Sequence, residues 1–428
     1  MCYILDHNIS KKKSSFFSMS LLCFAMSLLL FDRLWGYIFR STVFASTPMV
    51  YLLFITVLLL FLIVVFRGHL GKLNNMALIW MPYIVATLLG YLFMLKLQSV
   101  TYWFACMVMI IVAPASKFLN DFPIRFILWS GLICMLGVFI QLFFPSFYDS
   151  GISNLIISDN IERWVEEYGY NGFTSQLGIT ADILIYGEAA LLFMRKELLS
   201  KFLRRKWIYY LFVILFVVSV FLTGKRLLAA LALVLPFIVY FFSNRRSFGK
   251  FEMILTADLV AIGGYYVLSQ NVGAFMDNVI LRRFADTYMQ ASSGVDITSG
   301  RSSLAKMALD AYRDYPIFGI GVNNFKSYTG AQTDVHNTYL QVLCEQGIVG
   351  FTIFIIPIVF CFIRTCQLFK KRLNSQHISY LKMSLALQLI YITYCFTGNE
   401  NLGAGFVLYY MGVALMISVE SQYKKLLR

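Results

Sequence analysis

The sequence predicts an all-α, polytopic membrane protein of about twelve transmembrane helices, and three observations lead to that fold class. First, 59% of the 428 residues are hydrophobic and 14% are charged, whereas soluble domains average about 45–50% apolar and about 25% charged residues. Second, the apolar residues form repeated runs that are long enough to cross a bilayer core about 30 Å thick. Third, basic residues collect in alternate connections between the runs. Because no change of composition divides residues 1–428, we expect a single membrane domain.

The apolar runs are expected to be helices, because open sheet edges would leave backbone groups unsatisfied in lipid. The predicted crossings span residues 16–32, 47–66, 76–95, 98–114, 124–144, 178–194, 207–223, 227–243, 252–270, 347–363, 378–396 and 402–419. The first run is short, follows three lysines at 11–13 and precedes a weak small-residue site at Ala45-Ser46, so it resembles a secretory signal. We interpret it as a retained first helix.

The distribution of Lys and Arg predicts that both termini are cytoplasmic. With this orientation the inner segments carry 24 of the 36 basic residues, which is the asymmetry typical of cytoplasmic loops. The same asymmetry accounts for the net charge of +14, which in a soluble protein would indicate nucleic acid; no nucleic-acid partner is expected. The eight Cys form no CxxC pair, so we predict neither a disulfide framework nor a metal site.

Two outer loops are large, whereas every inner loop is short and basic. The smaller outer loop, residues 145–177, is acidic, and the larger one, residues 271–346 between helices 9 and 10, is far longer than packing requires. Ordered loops beyond about 12–15 residues are usually functional. The working surface is therefore predicted on the extracytoplasmic face.

The larger outer loop contains an amphipathic pattern at 302–315, which predicts a helix with Ser302 as its cap. The apolar stripe of this helix comprises Leu304, Met307, Ala308, Ala311 and Tyr312. Pro316 is expected to stop the helix, and the Gly319-Ile320-Gly321 segment to form a tight turn. A second short helix is predicted to begin near Asn337 and to lead into the next crossing.

His336 is the only one of the four His that faces outward in this topology. It is flanked by Asp334 and Asn337, and Glu345 is a candidate carboxylate to orient it. An imidazole held in this way can act as a base near neutral pH. The alternative, that His336 is an incidental polar residue of a loop, remains open at this point.

Basic side chains at outer helix ends run against the charge asymmetry. Lys225 and Arg226 lie at the outer end of one crossing, where the alternative is that they extend toward lipid headgroups. Arg301 opens the loop helix, where the helix dipole disfavours a cation. Residues that break local rules are candidates for function. Two guanidinium groups at one outward site would suit a pyrophosphate, which they can bind bidentately.

Two segments of the loop resemble the signature of the O-antigen polymerase and O-antigen ligase superfamily. One is Asp334–Phe351, DVHNTYLQVLCEQGIVGF, and the other runs from Gly300-Arg301 to the YPIFGIGVNNF segment that ends at Phe325. Helix count, cytoplasmic termini and the large loop before the tenth crossing agree with this resemblance.

The resemblance implies a metal-independent, inverting membrane glycosyltransferase with a GT-C-like fold and no cofactor. Its substrate would be an undecaprenyl-pyrophosphate-linked glycan at the outer leaflet of the bacterial plasma membrane, and a chain-length regulator and a flippase are implied as partners. Carried over by motif, Arg226 and Arg301 would hold the donor pyrophosphate, and His336 would assist the acceptor hydroxyl or orient the phosphate. Arg163, before Asn171-Gly172-Phe173, would match a further arginine of the family, and the predicted substrate-binding set comprises Arg163, Lys225, Asn337 and Glu345.

Four functions remain open from the sequence. The first is a polymerase of lipid-linked repeat units for O-antigen or capsule, which the Gly-Ile-Val-Gly-Phe continuation of the signature favours. The second is an O-antigen ligase that transfers the glycan to lipid A core. The third is a flippase or secondary transporter, because three acidic residues lie within apolar runs, at Asp182, Glu188 and Asp258. The fourth is a polysaccharide-assembly scaffold without catalysis.

Overall fold

The computed structural model describes residues 78–94, 122–152, 169–174, 177–194, 199–243, 301–398 and 404–426, together with single positions between 266 and 290. No strand occurs among these residues, so the predicted all-helical fold is confirmed for them. The main helices are α1 (Met81–Phe93), α2 (Phe122–Phe143), α3 (Leu177–Phe193), α4 (Lys206–Leu222), α5 (Arg226–Ser243), α6 (Arg301–Asp314), α7 (Phe325–Thr329), α8 (Thr338–Phe369), α9 (Ser375–Tyr394) and α10 (Ala404–Leu426).

Eight of the predicted crossings coincide with described helices, namely α1 to α5 and α8 to α10. Three described helices are long and apolar enough to cross a membrane: Ile124–Phe143, Arg226–Ser243 and Thr338–Phe369. The predicted crossings at 16–32, 47–66 and 98–114, and most of the one at 252–270, lie outside the described residues. The total of twelve crossings therefore stays a prediction.

Helix α3 lies at the centre of the described bundle, because it packs against α2, α4, α5 and α9. Nearly all of its side chains are buried. Gly187 of α3 faces Gly131 of α2 so closely that a Cβ on either residue would come within 2.7 Å of the other's Cα. Small residues at such contacts let two helix backbones approach. The same helix carries Asp182 and Glu188, both buried, whereas Asp258 lies outside the described residues.

The long loop that precedes α8 has a small core of its own. The predicted helix at 302–315 is observed as α6, Arg301–Asp314, so Ser302 lies in its first turn rather than at its cap. Ala308 and Ala311 of the predicted stripe are buried against Phe325, Val335 and Cys344. Met307, which was predicted on the same stripe, is exposed instead. This core packs α6 against the first turns of α8.

Helix α8 is kinked at Gly347, whose φ of 64° and ψ of −169° are not helical. The kink frees backbone groups on both sides of it, and the chain after α6 pairs with them. The Ile320 and Gly321 N–H groups donate to the carbonyls of Cys344 and Glu345, at 3.0 and 2.9 Å. The Ile348 N–H donates to the Pro316 carbonyl at 2.8 Å. These bonds fix the loop on α8.

Candidate active site

A cavity of about 570 Å³ lies where the turn before α5, the start of α6, the segment before α8 and the end of α9 meet. It is lined by Gly224, Lys225, Arg226, Leu227, Leu228, Arg301, Ser302, Ala305, Val335, His336, Asn337, Leu340, Tyr394, Phe396 and Thr397. Five of the seven residues that the sequence predicted for the site line this cavity: Lys225, Arg226, Arg301, His336 and Asn337. The first and the last of them, Lys225 and Asn337, are more than 100 residues apart in the sequence, yet all five line the same cavity.

Lys225 and Arg226 reach the cavity because α4 and α5 are joined by a very short turn. Gly224 in this turn has a φ of 67°, a left-handed conformation that glycine adopts without strain. The turn is held by the Tyr170 N–H, which donates to the Leu222 carbonyl at 2.9 Å. Arg226 is the first residue of α5, so its side chain is half-buried at the cavity rather than in the bundle.

Arg301 is half-buried at the first position of α6. A cation there is disfavoured by the helix dipole, so helix stability does not explain its presence. Burial lowers the pKa of Arg301, and Tyr394 opposes that effect; a guanidinium nevertheless stays charged in proteins. Arg301 and Arg226 are close enough to repel each other, while Asp286 attracts Arg226. An anion between the two guanidinium groups would relieve the repulsion.

His336 is half-buried and has a φ of 54°, which is unusual for a residue with a side chain. Such left-handed residues are often found at functional sites. Burial lowers the pKa of His336, and the charges of Arg301 and Lys225 lower it further, while Asp334 opposes them. Because the ordinary value is already about 6.5, the imidazole is neutral at physiological pH and can accept a proton.

Asn337 holds this segment in place as the N-cap of α8. Its Oδ1 accepts a hydrogen bond from the Leu340 N–H at 3.0 Å, as capping residues do. The next residue, Thr338, ties the same point to the end of α9: its N–H donates to the Cys395 carbonyl at 2.8 Å and its hydroxyl donates to the Gly398 carbonyl at 2.7 Å. His336 therefore has a fixed relation to the turn after α9.

Glu345 does not line the cavity. One carboxylate oxygen accepts from the Asn323 N–H at 2.8 Å, and the other accepts from the Phe325 N–H and the Gln341 side chain. These bonds take the place of a contact with His336, for which the sequence had made Glu345 a candidate. The physical reason is that Glu345 lies two turns along α8 from Asn337, about 12 Å away at about 1.5 Å per residue. Its observed role is to hold the turn that precedes α7.

Three cavity residues gave no signal in the sequence: Tyr394, Phe396 and Thr397, at the end of α9. Tyr394 lies near Lys225, because a Cβ built on Gly178 would meet both the Tyr394 hydroxyl and the Lys225 Nζ. Tyr394 also interacts electrostatically with Arg301. The cavity thus combines cationic groups with an aromatic and hydroxyl-bearing wall. Arg163 lies outside the described residues, and its place relative to the cavity stays a prediction.

Residues 211–355 match the family model described as O-Antigen ligase. The resemblance to the O-antigen polymerase and ligase superfamily is confirmed. The matched segment contains Arg226, Arg301, His336 and the Gly347 kink, whereas Tyr394 lies beyond its end. The match to this model supports a role of the O-antigen ligase or polymerase type in glycan assembly. Comparison with curated proteins finds no significant match.

Proposed function

We propose that the protein is a membrane glycosyltransferase that polymerises undecaprenyl-pyrophosphate-linked repeat units of O-antigen or capsule. The observation that carries this proposal is the convergence of Lys225, Arg226, Arg301 and His336 in one cavity. Three cations beside a neutral imidazole suit a substrate that has an anionic leaving group and a hydroxyl nucleophile. The proposed site faces the outer leaflet of the bacterial plasma membrane, with both termini cytoplasmic and with a flippase and a chain-length regulator as partners.

The cations act on the donor. Arg226 and Arg301 bind the pyrophosphate oxygens bidentately, and Lys225 adds a point charge on the same side. As the bond between the anomeric carbon and the pyrophosphate oxygen breaks, its electron pair leaves with the pyrophosphate. Cations that are already in place stabilise this developing charge. This supply of protein charge is the basis for proposing a reaction without a metal ion.

His336 acts on the acceptor. The hydroxyl oxygen of the acceptor sugar forms the new bond to the anomeric carbon, and its proton passes to the neutral imidazole of His336. Attack opposite to the leaving pyrophosphate inverts the anomeric configuration. The ties of Thr338 to the turn after α9 hold His336 beside Tyr394, Phe396 and Thr397. That arrangement gives the site the fixed geometry on which such a reaction depends.

The second candidate is an O-antigen ligase, which the description of the matching family favours. It would use the same donor and the same cations, but lipid A core as acceptor. The decisive experiment incubates the purified protein with a defined lipid-linked repeat unit, with and without lipid A core. Longer lipid-linked chains in the absence of core support the polymerase; product formed only with core overturns it in favour of the ligase.

A transport or scaffold function is tested with Arg301→Ala and His336→Ala. Each variant should fold normally and lose glycan transfer, because each removes a proposed reacting group. Lys306→Ala is a matched control, since Lys306 is exposed on the same helix as Arg301. Full activity of both site variants would reject the transferase and favour transport, for which the buried Asp182 and Glu188 are the candidates. No transfer by the wild-type protein on any defined substrate would favour a scaffold.

A further inference from the structure

The segment between α6 and the Gly319 turn exposes large apolar side chains. Ile317 and Phe318 are 57% and 75% exposed, although water disfavours such exposure. They do not belong to the loop's own core, which is formed by Ala308, Ala311, Phe325, Val335 and Cys344. Contiguous exposed apolar surface commonly marks an interaction site. The question is what covers these two side chains.

The neighbours of Ile317 and Phe318 on α8 indicate the answer. The Val349 N–H donates to the Ile317 carbonyl at 3.3 Å, beside the bond from Ile348 to Pro316. Ile348 and Val349 are themselves exposed and begin an exposed apolar stripe along α8. Its further members recur at helical spacing: Ile356, Val359, Phe360 and Ile363. The loop surface is therefore continuous with the outer face of a helix that is long and apolar enough to span a membrane.

Helix length places this surface at the boundary of the bilayer core. From Ile348 to Phe369 the helix rises about 33 Å at about 1.5 Å per residue, which matches a hydrocarbon thickness of about 30 Å. The kink at Gly347 then lies at the edge of the hydrocarbon. The residues before it, Thr338 to Gln346, carry the cavity end of α8 up to about 14 Å beyond that edge.

A pair of tyrosines lies at the start of the exposed apolar segment, where Tyr315 precedes Pro316 and Ile317. The rings of Tyr315 and Tyr328 are in edge-to-face contact with centroids 5.8 Å apart, and both are exposed. The Tyr328 hydroxyl donates to the Asp314 carboxylate at 2.8 Å. Aromatic side chains with one polar end are enriched where hydrocarbon meets water. Their position beside Ile317 and Phe318 agrees with a bilayer surface at this level.

We propose that Ile317 and Phe318 insert into the bilayer leaflet on the cavity side, with lipid acyl chains as the partner that covers them. This insertion anchors the end of α6 to the membrane surface. The inference concerns contact with lipid and does not depend on which reaction the cavity performs.

The test places a photoreactive benzoylphenylalanine at position 318 of the full-length protein, reconstituted in phosphatidylcholine vesicles that contain no polyprenyl lipid. Ile356 on the α8 stripe is the positive control, and Gln332, an exposed polar position of the same loop, is the negative control. After irradiation, lipid adducts are quantified by mass spectrometry. We expect the yield at 318 to match that at 356 and to exceed that at 332 by about tenfold, as for a side chain buried among acyl chains.

Three outcomes would overturn the proposal. The first is a lipid yield at 318 no higher than at 332 while 356 reacts, which would mean that the segment stays in water. The second is a cross-link from 318 to a second copy of the chain, which would make the surface a protein interface. The third is an adduct that forms only after a polyprenyl lipid is added, which would make it a binding surface for that chain rather than for the bilayer.

Discussion

Two parts of the segment from Asp334 to Phe351 belong to the same sequence signature but have different roles in the structure. The first part, ending at Asn337, lines the cavity and carries His336 in a left-handed conformation. The second part, Glu345 to Gly347, has no contact with the cavity and binds the backbone of the preceding loop. A signature residue can therefore be required for chemistry or for holding the chemical residues in place, and the two kinds should respond differently to substitution.

The largest effect is expected when the cavity arginines lose their bidentate geometry. Arg301→Lys and Arg226→Lys keep the charge but replace a planar fork with a point charge. We expect kcat for glycan transfer to fall about 10²–10³-fold for each variant, as when one donor to a developing anion is removed, with unchanged thermal unfolding. The measurement is the rate of lipid-linked glycan extension, with the exposed Arg313→Lys on the same helix as control.

Wild-type rates in Arg301→Lys and Arg226→Lys would place the donor pyrophosphate elsewhere. A fall in the thermal unfolding midpoint that parallels the loss of rate would show that these arginines stabilise the fold rather than take part in the reaction.

The next largest effect is expected on stability, at Gly347 in the part of the signature that holds the loop on α8. A Cβ at Gly347 would lie 2.2 Å from the Ile317 carbonyl oxygen, and φ there is 64°. Gly330 has a similar φ of 72° but no atom within 4 Å of such a Cβ. Gly330→Ala should therefore lower the free energy of unfolding by about 1 kcal/mol through backbone strain alone. Gly347→Ala should lower it by about 3 kcal/mol or more, because overlap adds to a backbone strain that is itself larger at the Gly347 ψ of −169° than at the Gly330 ψ of 8°.

Thermal unfolding in detergent compares the two glycine variants directly. Equal destabilisation would mean that the fit between Gly347 and the loop is not what holds this part together.

The two parts also differ in how well the sequence predicted them. Local patterns were sufficient for α6, for the start of α8 after Asn337 and for most described crossings, because helical periodicity and capping act over a few residues. The grouping of Lys225, Arg226, Arg301 and His336 was predicted from topology and resemblance, since these cations break local rules. Tyr394, Phe396 and Thr397 could not be found in this way, because their approach to the cavity depends on how α9 packs against α8.

Glu345 shows the opposite failure. Its nearness to His336 in sequence suggested a contact, but two helical turns separate them, and backbone N–H groups of the 323–325 turn use the carboxylate instead. A sequence pattern shows which residues occur together, but it does not show which of their atoms are in contact. The distinction between the chemical and structural parts of the signature therefore required coordinates.

A smaller effect is expected from Glu345→Gln. The amide retains one acceptor oxygen but puts an NH₂ group against backbone N–H donors, so at least one of the hydrogen bonds that the carboxyl accepts is lost. We expect about 1–3 kcal/mol less stability and, at a temperature where the variant is folded, transfer rates within a few-fold of wild type. A loss of rate as large as that of Arg301→Lys, without loss of stability, would give Glu345 a chemical role and remove the proposed division.

The smallest effect concerns the protonation of His336 before substrate binds. Burial and the charges of Arg301 and Lys225 lower its pKa, so the neutral form should persist below the ordinary value of about 6.5. Diethyl pyrocarbonate reacts with neutral imidazole only, and peptide mass spectrometry resolves its reaction with each histidine. The midpoint for His336 should lie below pH 6.5, and the acidic limb of kcat/KM, which reports on the free enzyme, should fall at the same pH.

Removing a positive charge at the cavity should change the pKa of His336, whereas removing one elsewhere on the loop should not. Lys225→Met removes a cation that disfavours the imidazolium, so the His336 midpoint should rise by a fraction of a pH unit. Lys306→Met, on the exposed face of α6, should leave it unchanged.

Bound pyrophosphate should act in the same direction as Lys225→Met, because its negative charge stabilises the imidazolium. The acidic limb of kcat should then lie at higher pH than that of kcat/KM. A midpoint at or above 6.5 in the free protein would contradict this account, since the cations would then be too distant from His336 to share a substrate with it.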